Sequence, residues 1–477
     1  MSNLLALRVV ISKAIADKKV QDSLGWLLII CSSLLLSIWA VRGTIALRNI
    51  LLVLGASISL IYCINFFKNS PAKIRLINWT PFILIVLMFF WVITHYAFFS
   101  RFPEQQFREI ISTWMRSLLA VTLALGTGVA LAKRPAAINC LWLGLLASFA
   151  YLAYQYILKA ISTNSVFAID YSYYIYPLKI SGVLSGTIMV GGLLGTFLDT
   201  ARRATSADVK MVGLLALIGT GVALYASVFI FDSRNGVGLV GIIVFVFFLS
   251  SIARLIAAVN ARISMSYPLT VLLFAVFSII LFAWICVHQV KHNSGWESTW
   301  EDAKIAVQVT QYPNWQNLSA MGYPTNTNGK TVKSNTYERV AWATAGLTIF
   351  LPKNPLGVGL LRDSFASLLK EENIDSPVIS GTHSAWVDIA LAFGYPGLFL
   401  LFTSLIALIL LSVKSNSRLR STVAILSLSL LLLYAVGEVS SQHSIEILCY
   451  FIVLNSTLLL PIQSLLTQVN VTTVIDV

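Results

Sequence analysis

Long apolar segments alternate with short polar connections along almost the whole chain. Each segment is close to the roughly 20 residues that an α-helix needs to cross the hydrocarbon core of a bilayer. The twelve segments cover residues 24–41, 46–67, 79–99, 114–132, 136–158, 182–200, 209–231, 236–253, 267–288, 384–413, 420–437 and 444–466. This pattern predicts an all-α polytopic membrane protein with about 12 transmembrane helices.

One connection is far longer than the others. Residues 289–383 form a 95-residue loop between the ninth and tenth segments, and structureless loops of this length are uncommon and usually functional. Ser298-Thr299-Trp300-Glu301 resembles a capping box and opens a helical stretch that we expect to reach residue 310. Further helices are expected over 337–350 and 363–371, with a tight glycine-rich turn over 355–359. The loop is therefore predicted to be a small helical subdomain that rests on the membrane face.

The charge distribution predicts the orientation. The 477-residue chain is 57% hydrophobic and only 11% charged, with a mean hydropathy of +0.81 and a net charge of +13. Lys and Arg number 17 on the N-terminal side of the predicted helices and 8 on the other side. Because cytoplasmic loops collect basic residues, the basic excess reflects topology rather than nucleic-acid binding.

The predicted helices and their orientation divide the chain into three regions. Residues 1–288 hold nine transmembrane helices with a cytoplasmic N-terminus, and residues 289–383 form the outward helical loop. Residues 384–477 hold three more helices with a cytoplasmic C-terminus.

No metal or disulfide chemistry is indicated by the sequence. The five cysteines lie in or beside apolar segments without metal-ligand spacing, and they are interpreted as small apolar packing residues. The outer loops contain no DxD or HExxH spacing. The nearest alternative is the group of Glu438, His443 and Glu446 before the last segment.

Candidate chemistry lies at three places on the predicted outer surface. Arg234 stands between two long apolar segments, Arg339 lies inside the large loop, and His383 precedes the tenth helix. Arginine presents a fixed fork of donors that matches phosphate oxygens and can stabilise charge on a departing diphosphate. Histidine is the usual general base near neutral pH. The three side chains therefore suit group transfer from a pyrophosphate-linked donor.

Each of these residues also has a plainer interpretation. Arg234 could reach phospholipid headgroups, Arg339 could pair with Glu338 or with a lipid phosphate, and His383 could be structural at a helix start. Asp388 lies five residues after His383, about 140° around a helix, so no His–Asp relay is proposed.

A smaller outer loop carries a group of tyrosines. These residues either belong to the aromatic belt at the membrane interface or stack on a sugar or lipid beside a site. They are Tyr171, Tyr173, Tyr174 and Tyr176.

Several of these elements together resemble the O-antigen ligase and polymerase superfamily of lipopolysaccharide assembly. The similarity covers about residues 209–411. It is carried by Ser233-Arg234-Asn235-Gly236, the Arg339-x-x-Trp342 helix, the turn Asn354-Pro355-Leu356-Gly357-Val358-Gly359 and the His383-Ser384 entry to a helix. The superfamily's usual Ser-Arg-Gly element has Asn235 inserted here.

The resemblance implies one of three activities. A ligase joins a lipid-linked polysaccharide to lipid A–core, a polymerase extends it on its carrier, and a protein O-oligosaccharyltransferase moves it to Ser or Thr. Polymerases typically have two large outer loops and a glycine eleven residues after an arginine. Here one loop is large, and Phe350 and Phe245 stand at that distance from Arg339 and Arg234. Protein-glycosylating members tend to carry extra C-terminal sequence, which is missing after Gln463, so the ligase is favoured.

The resemblance further implies an inverting, metal-independent glycosyltransferase of the inner membrane with a GT-C-like all-helical architecture and no cofactor. Its donor would be undecaprenyl-diphosphate-linked O-antigen and its acceptor a lipid A–core sugar hydroxyl, on the periplasmic side. Arg234 and Arg339 would bind the diphosphate and stabilise it as it leaves, and His383 would remove the acceptor's proton. A transporter of a lipid-linked anion, with the same arginines along its path, is the alternative from a different class.

Overall fold

Helices occupy nearly all of the described chain in the computed structural model, which describes residues 18–68, 76–164, 175–202, 206–260, 266–292, 298–374, 381–437 and 442–460. The helices before the large loop are α1 (Lys18–Ile38), α2 (Ile45–Lys68), α3 (Thr80–Phe98), α4 (Pro103–Glu109), α5 (Met115–Lys133), α6 (Asn139–Thr163), α7 (Lys179–Ala201), α8 (Ser206–Tyr225), α9 (Arg234–Asn260) and α10 (Ser266–His292). Those of the loop are α11 (Thr299–Ala306), α12 (Leu318–Met321), α13 (Ser334–Ala345), α14 (Leu351–Lys353) and α15 (Ser364–Glu371). The last three are α16 (Ala385–Lys414), α17 (Arg420–Val436) and α18 (Gln442–Leu458).

The predicted fold class is confirmed. Within the described residues, ten helices are long and apolar enough to cross a membrane, and α17 and α18 are shorter apolar helices. All twelve overlap the predicted apolar segments, although α9 extends to Asn260 where residue 253 was expected and α18 ends at Leu458 where residue 466 was expected. The described part of the chain has no β-sheet, only one isolated bridge between Thr325 and Thr331. The protein is therefore a multi-pass, all-α membrane protein.

The α7 helix lies at the centre of the bundle. Within its most apolar window 94% of the residues are buried, and it packs against α8, α9 and α17. Small residues allow this close approach, as at Gly195, where a Cβ would lie 2.5 Å from the Thr422 backbone. The described cysteines are free, and Cys31, Cys63 and Cys449 are buried, in agreement with a role as packing residues.

Tyr176, from the group of outer-loop tyrosines, belongs to this core. It is 2% exposed, its hydroxyl shares a 3.0 Å hydrogen bond with Ser148, and its ring packs edge-on against Phe231. Both the belt and the stacking interpretation are therefore wrong for Tyr176. Its three companions at positions 171, 173 and 174 lie outside the described residues.

The α16 helix is broken inside its apolar stretch. Gly394 has a φ of 67°, and Pro396 follows two residues later. Proline has no backbone N–H, so the carbonyl of Ala392 loses its ordinary partner four residues ahead. A break of this kind leaves polar backbone groups that must find other partners when buried.

The glycine-rich turn of the outer loop supplies those partners. The hydrogen bonds run from Val358 N to Leu391 O (2.9 Å), from Gly359 N to Ala392 O (2.8 Å) and from Tyr395 N to Pro355 O (2.9 Å). Gly357 has a φ of 90°, and a Cβ there would lie 2.4 Å from the carbonyl oxygen of Ala392. The turn is thus a structural joint that fixes the outer loop on α16.

The described part of the outer loop, residues 298–374, is largely helical and has a hydrophobic core of its own. Its core contains Trp315, Tyr337, Phe350 and Phe365, and it continues onto α16 at Leu391. The helix α15 matches its predicted stretch, and α13 together with the π-helical turn that follows it (Gly346–Phe350) ends where predicted, whereas α11 ends at residue 306, earlier than expected.

The predicted capping box at the start of α11 is wrong. The Ser298 hydroxyl donates to the Asp302 carboxylate at 2.7 Å and does not accept from the helix backbone. Asp302 is fully buried and also accepts from Asn326 and from the backbone N–H of Lys333. The Ser298 side chain is therefore a donor to a buried carboxylate and not an acceptor at the helix start.

Candidate functional site

A capped helix start determines the position of Arg234. The hydroxyl oxygen of Ser233 accepts a 3.2 Å hydrogen bond from the backbone N–H of Gly236, the geometry of an N-cap residue. Asp232 turns the chain into the cap with a positive φ of 42°. Arg234 is thereby placed in the first turn of α9, and the amide of Asn235 donates to the carbonyl of Val436 at 3.0 Å. The inserted asparagine thus ties α9 to the end of α17.

Arg234 points towards the outer loop. Its guanidinium donates to the hydroxyl of Thr299 at 3.1 Å and to that of Thr336 at 3.5 Å. The two threonines belong to α11 and α13, so one half-buried arginine contacts two helices of the loop. Neither hydroxyl neutralises its charge.

The α13 helix carries Arg339 one turn beyond Thr336. Residues three apart are neighbours on a helix surface, and the positive charges of Arg339 and Arg234 lie close enough to interact. Arg339 is half-buried. In the described part of the chain, no carboxylate lies within ion-pair distance of it.

Glu338 has a partner other than its neighbour Arg339. Its carboxylate accepts a short hydrogen bond from the hydroxyl of Tyr323. Burial, together with the adjacent Glu338 carboxylate, raises the pKa of Tyr323 to about 12. The expected alternative, in which Glu338 neutralises Arg339, is therefore not formed.

His383 packs against the same helix. Its imidazole stacks on the indole of Trp342, with ring centroids 5.3 Å apart and planes 17° apart. Trp342 is 4% exposed, and its indole N–H has no hydrogen-bond partner among the described residues. Since Trp342 lies one turn beyond Arg339, α13 places both Arg339 and the stacking partner of His383.

Asp388 determines the conformation of the segment that bears His383. Its Oδ1 accepts from both the backbone N–H and the hydroxyl of Thr382, each at 2.8 Å. Thr382 is fully buried and Asp388 is 1% exposed. His383 itself has a positive φ of 62°, a conformation that non-glycine residues adopt only when their surroundings hold them there. Sequence reasoning missed this function, because it compared Asp388 with His383 only on a helical wheel.

The three sequence elements form a closed ring of contacts. The backbone N–H of Ala385, two residues after His383, donates to the carbonyl of Gly437 at 3.1 Å. Asn235, next to Arg234, donates to the preceding residue, Val436. Arg234 in turn contacts Thr336 on α13, and Trp342 of the same helix stacks on His383, which closes the ring. Arg234, Arg339 and His383 are thus brought together, although Arg234 and Arg339 are 105 positions apart in the chain and Arg339 and His383 are 44 apart.

This arrangement suits an anionic ligand. Two half-buried guanidinium groups with like charge raise each other's free energy in a medium of low dielectric constant. A ligand with two phosphates would relieve that repulsion, and each arginine could bind it through two donors. The neighbouring imidazole could then accept a proton from a second substrate.

The alternative group before the last helix has a different partner. Glu446 forms a 2.9 Å ion pair with Arg116, while Glu438 lies outside the described residues. Within the described residues, no three His, Cys, Asp or Glu side chains are grouped as metal ligands.

Part of the chain, which includes the candidate site residues, matches a known protein family. The fold is that of a multi-pass, all-α membrane protein, and its candidate site combines two arginines with a histidine. Residues 219–402 match the family model described as O-antigen ligase, and no curated protein matches the chain significantly. The matched segment holds α9, the outer loop and His383, so the resemblance is confirmed and the chain carries an O-antigen ligase-type domain. Members of this family are glycosyltransferase-like ligases and polymerases.

Proposed function

We propose that the protein is an O-antigen ligase that transfers a polysaccharide from undecaprenyl diphosphate to a sugar hydroxyl of lipid A–core. The observation that supports this proposal best is the ring of contacts that joins Arg234, Arg339 and His383. All three lie inside the segment that matches the ligase family. The O-antigen polymerase and the protein O-oligosaccharyltransferase remain the competing activities.

In the proposed mechanism the two arginines bind the donor's diphosphate. The acceptor hydroxyl attacks the anomeric carbon as the bond from that carbon to the diphosphate oxygen breaks. The leaving diphosphate gains negative charge, which Arg234 and Arg339 stabilise more strongly than in the intact donor. A single displacement of this kind inverts the anomeric configuration.

His383 takes the proton of the acceptor hydroxyl in this mechanism. A general base must be neutral at the start of this step. The indole of Trp342 covers one ring face of His383 and limits its rotation. Asp388 holds the backbone beneath it through Thr382. The reaction uses the energy of the diphosphate linkage and needs neither a nucleotide sugar nor a metal ion.

The proposed location is the inner membrane, with the site facing the periplasm. The support is the Lys and Arg bias, 17 against 8, which assigns the outer loop to the non-cytoplasmic side. A lipid-linked donor and a lipid-anchored acceptor can both approach such a site within the outer leaflet.

The test is transfer by purified protein in detergent, supplied with lipid-linked O-antigen and lipid A–core. Wild type is compared with His383→Ala and with Arg101→Ala, a control in which an exposed arginine that pairs with Glu371 is removed. We expect core-linked polysaccharide from wild type and control, and none from His383→Ala.

Other products would contradict the proposal and favour a different activity. Growth of the glycan on its lipid carrier, without attachment to core, would identify a polymerase. Glycan on added protein would identify an O-oligosaccharyltransferase, and binding without any covalent product would favour a transporter.

A further inference from the structure

A second group of charged side chains lies outside the site described above, where the ends of four helices meet. Arg48 lies in the first turn of α2 and Arg116 in the first turn of α5, while His443 and Glu446 begin α18. Trp39 follows the end of α1. None of these residues belongs to the segment that matches the ligase family.

The group is held together by short polar contacts. The Nε of Arg116 lies 2.9 Å from Glu446 Oε1, and the indole N–H of Trp39 donates to Glu446 Oε2 at 3.1 Å. Arg48 donates from Nη1 to the backbone carbonyl of Trp39 at 2.5 Å. Glu446 is 2% exposed, whereas Arg48 is half-buried and reaches the surface.

The charges of this group do not balance. Arg48 and Arg116 interact with each other and with Glu446, and both act on His443. Each oxygen of the one carboxylate is already engaged, by Arg116 and by Trp39. In the described part of the chain, no carboxylate lies within ion-pair distance of Arg48. A structural ion pair needs only Arg116 and Glu446, so Arg48 is a surplus, partly desolvated cation.

The surroundings of Arg48 indicate the kind of anion. Three apolar side chains at the same end of α2 are at least half exposed: Ile45 (57%), Leu47 (50%) and Ile50 (54%). In a membrane-spanning helix such a surface contacts lipid tails. Arg48 also lies on the predicted outer side, where the positive-inside bias disfavours basic residues. A ligand with a phosphate head and apolar tails would satisfy both the cation and the apolar surface.

We propose that Arg48 and Arg116, beside His443, form a second anion site that binds the phosphate of a membrane lipid. The arginine fork suits a phosphate monoester or diester, and the exposed part of α2 accommodates the tails. Two lipids carry this chemistry at the outer surface, an ordinary anionic phospholipid and a polyprenyl phosphate carrier. The site is independent of the proposed transfer reaction, because none of its residues takes part in that mechanism.

The test is lipid binding to purified, delipidated protein by native mass spectrometry. The protein is titrated with three probes: phosphatidylglycerol, undecaprenyl phosphate and inorganic phosphate. All measurements use an Arg339→Ala background so that the proposed transfer site contributes little. Arg48→Gln is compared with the parent and with Arg101→Gln, a matched control that removes an arginine paired with Glu371.

We expect the lipid phosphates to bind the parent and the control equally and Arg48→Gln about tenfold more weakly, the effect of losing a charged hydrogen bond. Binding of both lipids would support a general headgroup site, and binding of undecaprenyl phosphate alone a carrier site. Equal binding by Arg48→Gln would overturn the proposal, as would binding of inorganic phosphate alone. A fall in the melting temperature of delipidated Arg48→Gln without a change in lipid binding would show that Arg48 is only structural.

Discussion

The positioning of His383 by Asp388 can be tested against a closely matched pair of contacts elsewhere in the protein. Asp388 accepts from the N–H and the hydroxyl of Thr382, both at 2.8 Å. Asp199 accepts from the N–H and the hydroxyl of Thr422 at 2.8 and 2.9 Å. Both carboxylates are buried, at 1% and 5% exposure. Only Asp388 lies next to the candidate site, so replacement of each by alanine separates positioning from stability.

The expected loss of stability depends on the hydrogen-bond donors that lose Asp388 as their acceptor. Asp388→Ala removes the acceptor of the Thr382 N–H and hydroxyl; the hydroxyl can still donate to the Ser384 carbonyl at 3.1 Å, but the buried N–H is left unpaired at a cost of about 1–3 kcal/mol. His383 meanwhile keeps a positive φ of 62°, which costs on the order of 1–2 kcal/mol for a residue with a side chain. The segment should therefore relax away from the stacked position. We expect activity per folded molecule to fall by about tenfold or more.

A milder variant provides an internal check. Asp388→Asn retains an oxygen that can accept from Thr382 but loses the charge, and charge-assisted hydrogen bonds are about twice as strong as neutral ones. Its activity should lie between those of wild type and Asp388→Ala.

The assay is glycan transfer per folded molecule, with the folded fraction taken from thermal melts in detergent. Asp199→Ala should lower the melting temperature at least as much as Asp388→Ala, because Asp199 also lies 3.8 Å from Arg254. It should leave the specific activity unchanged. Full specific activity in Asp388→Ala, or equal losses in both variants, would refute the positioning argument.

The remaining predictions concern the arginine pair, metal independence and the joint between loop and membrane helix. Arg339→Ala should abolish transfer with the melting temperature within a few degrees of wild type, since Arg339 has no ion-pair partner in the described chain; near-normal transfer would remove Arg339 from the site. EDTA should leave transfer intact, and a loss that a divalent ion restores would disprove the metal-free mechanism. Gly357→Ala should destabilise the protein by at least about 1–3 kcal/mol in a thermal melt, because the added Cβ would lie 2.4 Å from the carbonyl oxygen of Ala392; an unchanged melt would show that the turn can relax.

Local sequence patterns predicted the helices well. Each apolar segment produced a helix that overlaps it, because membrane-length apolar stretches must satisfy their backbone hydrogen bonds within the helix itself. The positions of Arg234, Arg339 and His383 at helix starts and in the loop were also readable, since caps and apolar periodicity are local signals. The capping box at Ser298 failed because its hydroxyl donates to Asp302, a carboxylate that also accepts from the distant Asn326 and Lys333.

The meeting of the candidate residues was decided only by the tertiary structure. Arg234 contacts Thr336 across 102 positions of the chain, and Asn235 contacts Val436 across 201. No helical or turn pattern encodes such distances, because they depend on how the outer loop docks into the break at Gly394. The sequence by itself therefore determined the membrane helices and the chemically competent side chains. The tertiary structure decided that these side chains lie near one another, since only packing brings distant backbone and side-chain groups within hydrogen-bond range.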